Sequence, residues 1–216
     1  MTNAEPVVFI VDDDDEVRDA ISLLMDSVGL KVQAYESAQA FLDDFDPERP
    51  GCLILDVRMR GMSGLELQAQ LAAEPIHPPI VIITGHGDVP MAVRAVQAGA
   101  VDFLEKPFND QALLDAVHRA LGVDARRRGH AMRLAEVNQR LGRLTPRERE
   151  ILDQIVAGKR NKVIAADLNI SQSTVEAHRA KVMDKLQARS LSELMRLMLE
   201  HQLAGEEPLE NPQSLG

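Results

Sequence analysis

The sequence predicts an α/β protein of two domains: a doubly wound five-stranded parallel sheet, followed by a linker helix and an all-α four-helix helix-turn-helix domain. Three observations predict it. Short apolar runs alternate with amphipathic stretches five times over residues 7–121, which is the order that parallel strands with crossover helices produce. A short helix, a tight turn and a longer helix carrying basic residues then follow between residues 161 and 186. The charge divides at the same place, with 8 Lys+Arg against 21 Asp+Glu in residues 1–122 and 16 against 10 in residues 123–205.

In chain order, VVFIV (7–11), CLILD (52–56), IVIIT (80–84) and VDFLE (101–105) read as buried strands, and KVQAYE (31–36) as a weaker one. Helical patterns fill residues 15–29, 37–45, 64–73, 90–98 and 110–121. The segment after Gly122 is polar and helix-prone apart from Gly129, with Leu134, Val137, Leu141 and Leu144 at 3-4-3 spacing. That narrow seam fits either a short coiled coil or docking on a neighbouring domain. Thr145 is an expected N-cap with Pro146 at the first helical position, and Gly158 ends that helix. A scaffold helix over 161–168 leads through the Asn-Ile-Ser turn to a longer helix, capped by Ser171 or Ser173 and running to Leu186. A fourth helix spans about 190–203. Val163, Ile164, Leu168, Ile170, Val175, Val182 and Leu186 are the expected core. The domains are therefore 1–122, a linker helix 123–143, a helix-turn-helix domain 144–205 and a disordered tail 206–216.

Hydrophobic residues at 45% and charged ones at 27% suit a chain that buries a core. The N-terminus has no basic stretch, and aspartates cut its apolar run short, so neither a secretory signal nor a membrane span is expected and the place of action is the cytoplasm. Cys52 lies in an apolar run and reads as a buried strand residue, not a reactive thiol. The net charge of −10 conceals a basic second half, which points to a polyanionic partner or, more blandly, to a solvated face.

Reactive groups of a doubly wound sheet collect at the carboxyl ends of its strands. Asp12 and Asp13 end the first strand, Asp56 the third and Thr84 the fourth, while Lys106 follows the fifth. Strand-end Asp and Thr residues taken singly more often start turns or cap helices. Taken jointly, three carboxylates facing one mouth call for a divalent cation, and an all-oxygen donor set favours Mg²⁺. Asp56 is then a nucleophile for a phosphoryl group, with Lys106 and the metal on its equatorial oxygens and the Thr84 hydroxyl on a third oxygen.

The stretches FIVDDD, LILDVRMRGMSGLEL and VIITGHGDVPMAVRAVQAGAVDFLEKPF make residues 5–122 resemble the receiver domain of bacterial response regulators, a flavodoxin-like fold, and the last stretch resembles the FixJ branch. LTPRERE, NKVIAADLNIS and STVEAHRAKVMDKL resemble the LuxR-type DNA-binding domain of NarL and FixJ regulators. The resemblance implies Asp56 as phosphoacceptor and a Mg²⁺ site of Asp12, Asp13, Asp56 and the Arg58 backbone carbonyl. It implies Thr84 and Lys106 as phosphoryl-sensing groups, Phe103 as the aromatic switch and a cis Lys106–Pro107 bond. It makes 171–186 the recognition helix, with Thr174, Glu176, Ala177, His178, Arg179, Ala180 and Lys181 toward DNA and Lys162 and Lys185 on phosphates. His178 is equally well read as a helix-packing residue with a backbone partner.

The implied partners are a cognate sensor histidine kinase, double-stranded promoter DNA, RNA polymerase and, on phosphorylation, a second copy of the chain. No enzymatic activity is expected beyond self-phosphorylation and autodephosphorylation. Three departures from the family pattern stand out. Arg60 replaces the usual Pro, which predicts a looser loop; Asp14 and Asp15 extend the acidic pair and are expected to begin the first helix; Glu176 replaces a Lys of NarL-like proteins and predicts a different operator preference. Two rival readings are a pseudo-receiver attached to a constitutive DNA binder and a haloacid-dehalogenase-type phosphatase using Asp12, Asp14, Thr84 and Lys106. The second lacks that family's late acidic motif and leaves the C-terminal half unexplained.

Overall fold

The computed structural model describes residues 5–74, 76–85 and 89–206, with side chains to Leu203. The chain forms two compact units that divide between Arg128 and Gly129. Most of the tail expected to be disordered, 207–216, lies outside the described residues. Among the described residues no helix is long and apolar enough to cross a membrane.

The first unit contains β1 (Val7–Val11), α1 (Asp15–Ser27), β2 (Lys31–Tyr35), α2 (Ala38–Asp44), β3 (Gly51–Asp56), α3 (Gly64–Ala72), β4 (Ile80–Thr84), α4 (Val89–Gln97), β5 (Asp102–Glu105) and the start of α5 (Asp110–Gly142). All neighbouring strands pair in parallel, in the order β2-β1-β3-β4-β5. Because side chains alternate across a strand, each central strand feeds two cores. Val7, Phe9, Val11, Leu53, Leu55 and Ile82 pack with α2, α3 and α4 through Phe41, Leu67, Leu71 and Ala95. Val8, Ile10, Cys52, Ile54, Val81 and Ile83 pack with α1 and α5 through Ile21, Met25, Leu113, Ala116, Val117 and Ala120. Cys52 is thus a buried strand residue, and burial pushes its thiol up to about 12, which removes the thiolate chemistry of a sensor.

α5 departs from expectation. The helix predicted over 110–121 and the linker helix are one continuous element, and the first unit extends six residues past Gly122. Its inward stripe of Leu113, Ala116, Val117 and Ala120 continues through the buried Asp124. The Asp124 carboxylate accepts from Gly51 N at 3.0 Å and from Arg128 Nε at 2.9 Å. The Arg128 guanidinium in turn donates to the carbonyls of Pro47, Glu48 and Arg49 at 2.8–3.0 Å. These bonds offset the cost of about 1 kcal/mol that a glycine imposes inside a helix.

The second unit holds the end of α5 with α6 (Pro146–Val156), α7 (Asn161–Asp167), α8 (Gln172–Leu186) and α9 (Leu191–Glu206) around Ile151, Leu152, Ile155, Ile164, Val175, Val182, Leu186 and Leu194. Thr145 caps α6 in a capping box with Glu148, and Pro146 follows it. Ser171 caps α8, and Asn169 takes the left-handed conformation (φ 52°) in the turn before it. Val163, expected in the core, is exposed: on a helix this short, burying Ile164 rotates its neighbour by about 100° to the solvent side.

Glu148 links two helices. Its carboxylate accepts from Thr145 N at 2.8 Å and from Lys185 Nζ of α8 at 2.6 Å. The Lys185 hydrogen bond, then the Thr145 N–H, pull its pKa down to about 2 from an ordinary 4.5. A folded-state pKa below the unfolded one contributes stability that is present above about 4.5 and lost as the pH falls toward about 2. Acid titration of the full chain should therefore show added hydrogen exchange in α6 and α8 within that window. Glu148→Gln, which has no charge to lose, should be less stable at neutral pH and should lack this acid-dependent component.

Candidate functional site

The chain reverses its winding direction between β1 and β3, and an α/β sheet opens a ligand crevice at the carboxyl ends of the strands at such a point. Asp12 and Asp13 emerge there from β1, and Asp56 ends β3. One oxygen from each lies within 4.8 Å of the others. Asp12 and Asp56 are buried, at 1% and 4% exposure, whereas Asp13 stands open. Lys106, just beyond β5, sends its ammonium between the two buried groups, 2.6 Å from Asp12 Oδ2 and 2.8 Å from Asp56 Oδ1. Thr84 is buried at the end of β4, and its carbonyl accepts from Lys106 N at 2.7 Å. The Lys106–Pro107 peptide is cis, as the resemblance implied.

Three carboxylates share this mouth with one ammonium. Burial raises the Asp56 pKa above the ordinary aspartate range, and Lys106 only partly offsets it. Burial pulls the Lys106 pKa down, but its hydrogen bonds and charge pairing with Asp12 and Asp56 outweigh that and leave it raised. The excess negative charge and the absence of nitrogen or sulfur donors in the carboxylate cluster fit a hard divalent cation such as Mg²⁺.

Arg58 donates its backbone N–H to Asp56 Oδ2 at 2.7 Å, which fixes the carboxylate against its own loop. Phe103 is half-buried against the core beneath α4. Asp15 opens α1, and Asp14 is its N-cap, accepting from Glu16 N at 3.0 Å, so the carboxylate a phosphatase reading requires is spent on the helix. The Arg60 backbone N–H, which a proline lacks, donates to Asp13 Oδ2 at 3.2 Å. Sequence reasoning missed Gly64, at the start of α3, where an added Cβ would stand 2.1 Å from the Asp56 carbonyl oxygen. No periodicity encodes so close an approach; the only local signal is the Ser63/Glu66 capping box around it.

The comparisons with known proteins agree with this geometry. Residues 8–118 match the family of the response regulator receiver domain, and residues 142–198 match the bacterial regulatory proteins of the luxR family. The chain is 48% identical over 204 residues to the transcriptional regulatory protein FixJ of Azorhizobium caulinodans, covering 94% of this chain and 95% of the relative. This chain is a response regulator of the FixJ-like kind. Nodulation protein W of Bradyrhizobium diazoefficiens is 45% identical over 90% of this response regulator and 86% of its own length. Among solved structures, the response regulator StyR superposes with a TM-score of 0.83 at 47% identity, covering 91% of this chain and all (100%) of that one.

In the LuxR-type unit of this response regulator, α7, the turn at 168–171 and α8 form the helix-turn-helix. Lys162, Glu176, Ala177, Ala180 and Lys181 are exposed, and the last four share one face of α8 by their 1-4-5 spacing. Thr174 and Arg179 are half-buried, and the Thr174 hydroxyl lies 2.7 Å from Ser171 Oγ in the cap network. Lys185 does not fit a phosphate contact. Its ammonium is committed to Glu148 of α6 and, at 3.1 Å, to the Arg143 carbonyl. His178 is half-buried, and its enclosed Nδ1 has no hydrogen-bond partner among the described residues.

Proposed function

We propose that this response regulator accepts a phosphoryl group on Asp56 from a cognate sensor histidine kinase, dimerises through its receiver unit, and binds double-stranded promoter DNA in the cytoplasm to activate transcription by RNA polymerase. The observation that carries the reading is Lys106 bridging Asp12 and Asp56 beside Asp13 at the switch point of the sheet. A carboxylate oxygen of Asp56 attacks phosphorus in line, the P–N bond of a phosphohistidine breaks, and its electron pair returns to the ring nitrogen, which takes up a proton. Mg²⁺ held by Asp12, Asp13, Asp56 and the Arg58 carbonyl would supply the positive charge that Lys106 alone does not. Attack of water on the resulting acyl phosphate is the only turnover the chain would carry out.

The phosphoryl group then pairs with the Thr84 hydroxyl and the Lys106 ammonium, biasing β4 and α4 toward a second arrangement with Phe103 following. On α4, Val89, Val93 and Val96 are exposed apolar residues at helical spacing, which suits a face of α4, β5 and α5 that pairs two copies. Two copies present two recognition helices to a two-half-site operator. Within each, Thr174, Glu176, Ala177, His178, Arg179, Ala180 and Lys181 read the groove and Lys162 holds a phosphate. Binding to duplexes enriched from a random pool tests this. Acetyl phosphate should tighten wild-type binding by roughly tenfold or more and leave Asp56→Asn unchanged. Equal affinities with and without phosphodonor would overturn it.

A further inference from the structure

We infer that Arg60 is a specificity-determining residue of the phosphorylation site: a rim guanidinium that neutralises Asp13 before a divalent cation arrives and is freed by that cation for an anionic phosphodonor. The inference rests on the phosphorylation reading above. Lys106 pairs with Asp12 and Asp56 but not with Asp13 among the described residues. Asp13 instead takes its partner from the loop after β3. The Arg60 N–H donates to Asp13 Oδ2 at 3.2 Å, and the Arg60 Nε stands 4.0 Å from the same oxygen. The two contacts differ in kind. The N–H is neutral and can keep orienting Asp13 when a cation binds, whereas the guanidinium is a full charge beside a carboxylate that the cation would also use.

The Arg60 side chain is 97% exposed, and Asp13 Oδ2 is its ion-pair partner among the described residues. Nothing else described holds the guanidinium once a divalent cation takes up the Asp13 charge. A planar cation at the rim of a phosphorylation site suits a phosphoryl dianion, which it can engage with two N–H groups. The two roles have opposite signs. Removing the guanidinium removes a competitor of Mg²⁺ and, at the same time, a contact for the donor, and no purely structural role predicts both.

Mg²⁺ titration calorimetry of the full chain, with acetyl phosphate labelling alongside, tests this on wild type, Arg60→Ala and Arg60→Lys. Arg60→Ala should bind Mg²⁺ tighter by roughly two- to fivefold at low ionic strength, the scale of one exposed ion pair. That gap should close in about 0.5 M salt, where charges are screened over ~4 Å. Its half-saturating acetyl phosphate should rise by a similar factor, and Arg60→Lys, which keeps the charge but not the two-pronged donor, should restore the wild-type Mg²⁺ affinity more fully than the donor saturation. Unchanged or weaker Mg²⁺ binding in Arg60→Ala at low salt would overturn the inference, and so would a Mg²⁺ shift without a change in donor saturation. Wild type that takes no label yet shows the Mg²⁺ difference would overturn the phosphorylation reading and the donor role with it, leaving only the cation competition.

Discussion

Replacing Lys106 with Met should lower the thermal stability of the cation-free protein by about 2 kcal/mol, and millimolar Mg²⁺ should recover most of the loss. The ammonium is the cation bonded to both Asp12 and Asp56, and those two carboxylates are buried. Methionine keeps the apolar stem and deletes the charge. Removing one member of a buried ion pair leaves the others uncompensated, which costs about 3–5 kcal/mol when all are fully enclosed. Lys106 keeps 20% side-chain exposure, so a smaller figure applies. Burial already holds the Asp56 pKa above the ordinary aspartate range, with Lys106 opposing the shift. Calorimetric melting with and without Mg²⁺ checks the result. A melting temperature equal to that of wild type in both conditions would show that Lys106 does not hold the cluster together. On the proposed function, the same variant should also lose phosphorylation-dependent dimerisation, since one of the two groups proposed to sense the phosphoryl oxygens is gone.

Gly64→Ala should have the larger structural effect, destabilising the receiver unit by about 3 kcal/mol and slowing acetyl phosphate labelling roughly tenfold or more. An added Cβ would meet the Asp56 carbonyl oxygen at 2.1 Å, the Asp56 carbonyl carbon at 2.9 Å and Val57 Cα at 3.0 Å. All three are backbone atoms, so no side chain can swing away. Either α3 or the end of β3 must move, and the end of β3 carries Asp56, the proposed phosphoacceptor. The Gly64 N–H also donates to the Val57 carbonyl at 3.0 Å, a bond that would be lengthened. Chemical denaturation and the labelling rate report the two effects separately. A variant with wild-type stability and rate would mean that the helix start yields more easily than the contact implies.

Legibility in the sequence followed the physics of each feature. The sheet was readable because VVFIV, CLILD and IVIIT are buried on both faces and so carry unbroken apolar runs, each ending at the residues that form the mouth. The Thr145 cap and Pro146 were readable because capping is local chemistry. The length of α5 was not. Gly122 and Gly129 look like breaks, and the bonds that carry the helix past Gly122 join Asp124 to Gly51 and Arg128 to residues 47–49, pairings that no local pattern encodes. The same limit applies to Lys185, whose partner Glu148 lies on another helix, and to Gly64, whose constraint is a close approach. Arg60 was noticed as a departure, but proline's missing N–H only acquired meaning once Asp13 was found to accept the bond.

The most direct test of the account is labelling with acetyl phosphate or phosphoramidate in the presence of Mg²⁺, for wild type and Asp56→Asn, with the sedimentation mass recorded in parallel. Wild type should take an alkali-labile label that is absent from Asp56→Asn, together with a shift from monomer toward dimer that depends on the label. Wild type that takes no label, or takes it without any change in mass, would contradict it and leave a DNA-binding protein whose receiver does not switch by phosphorylation.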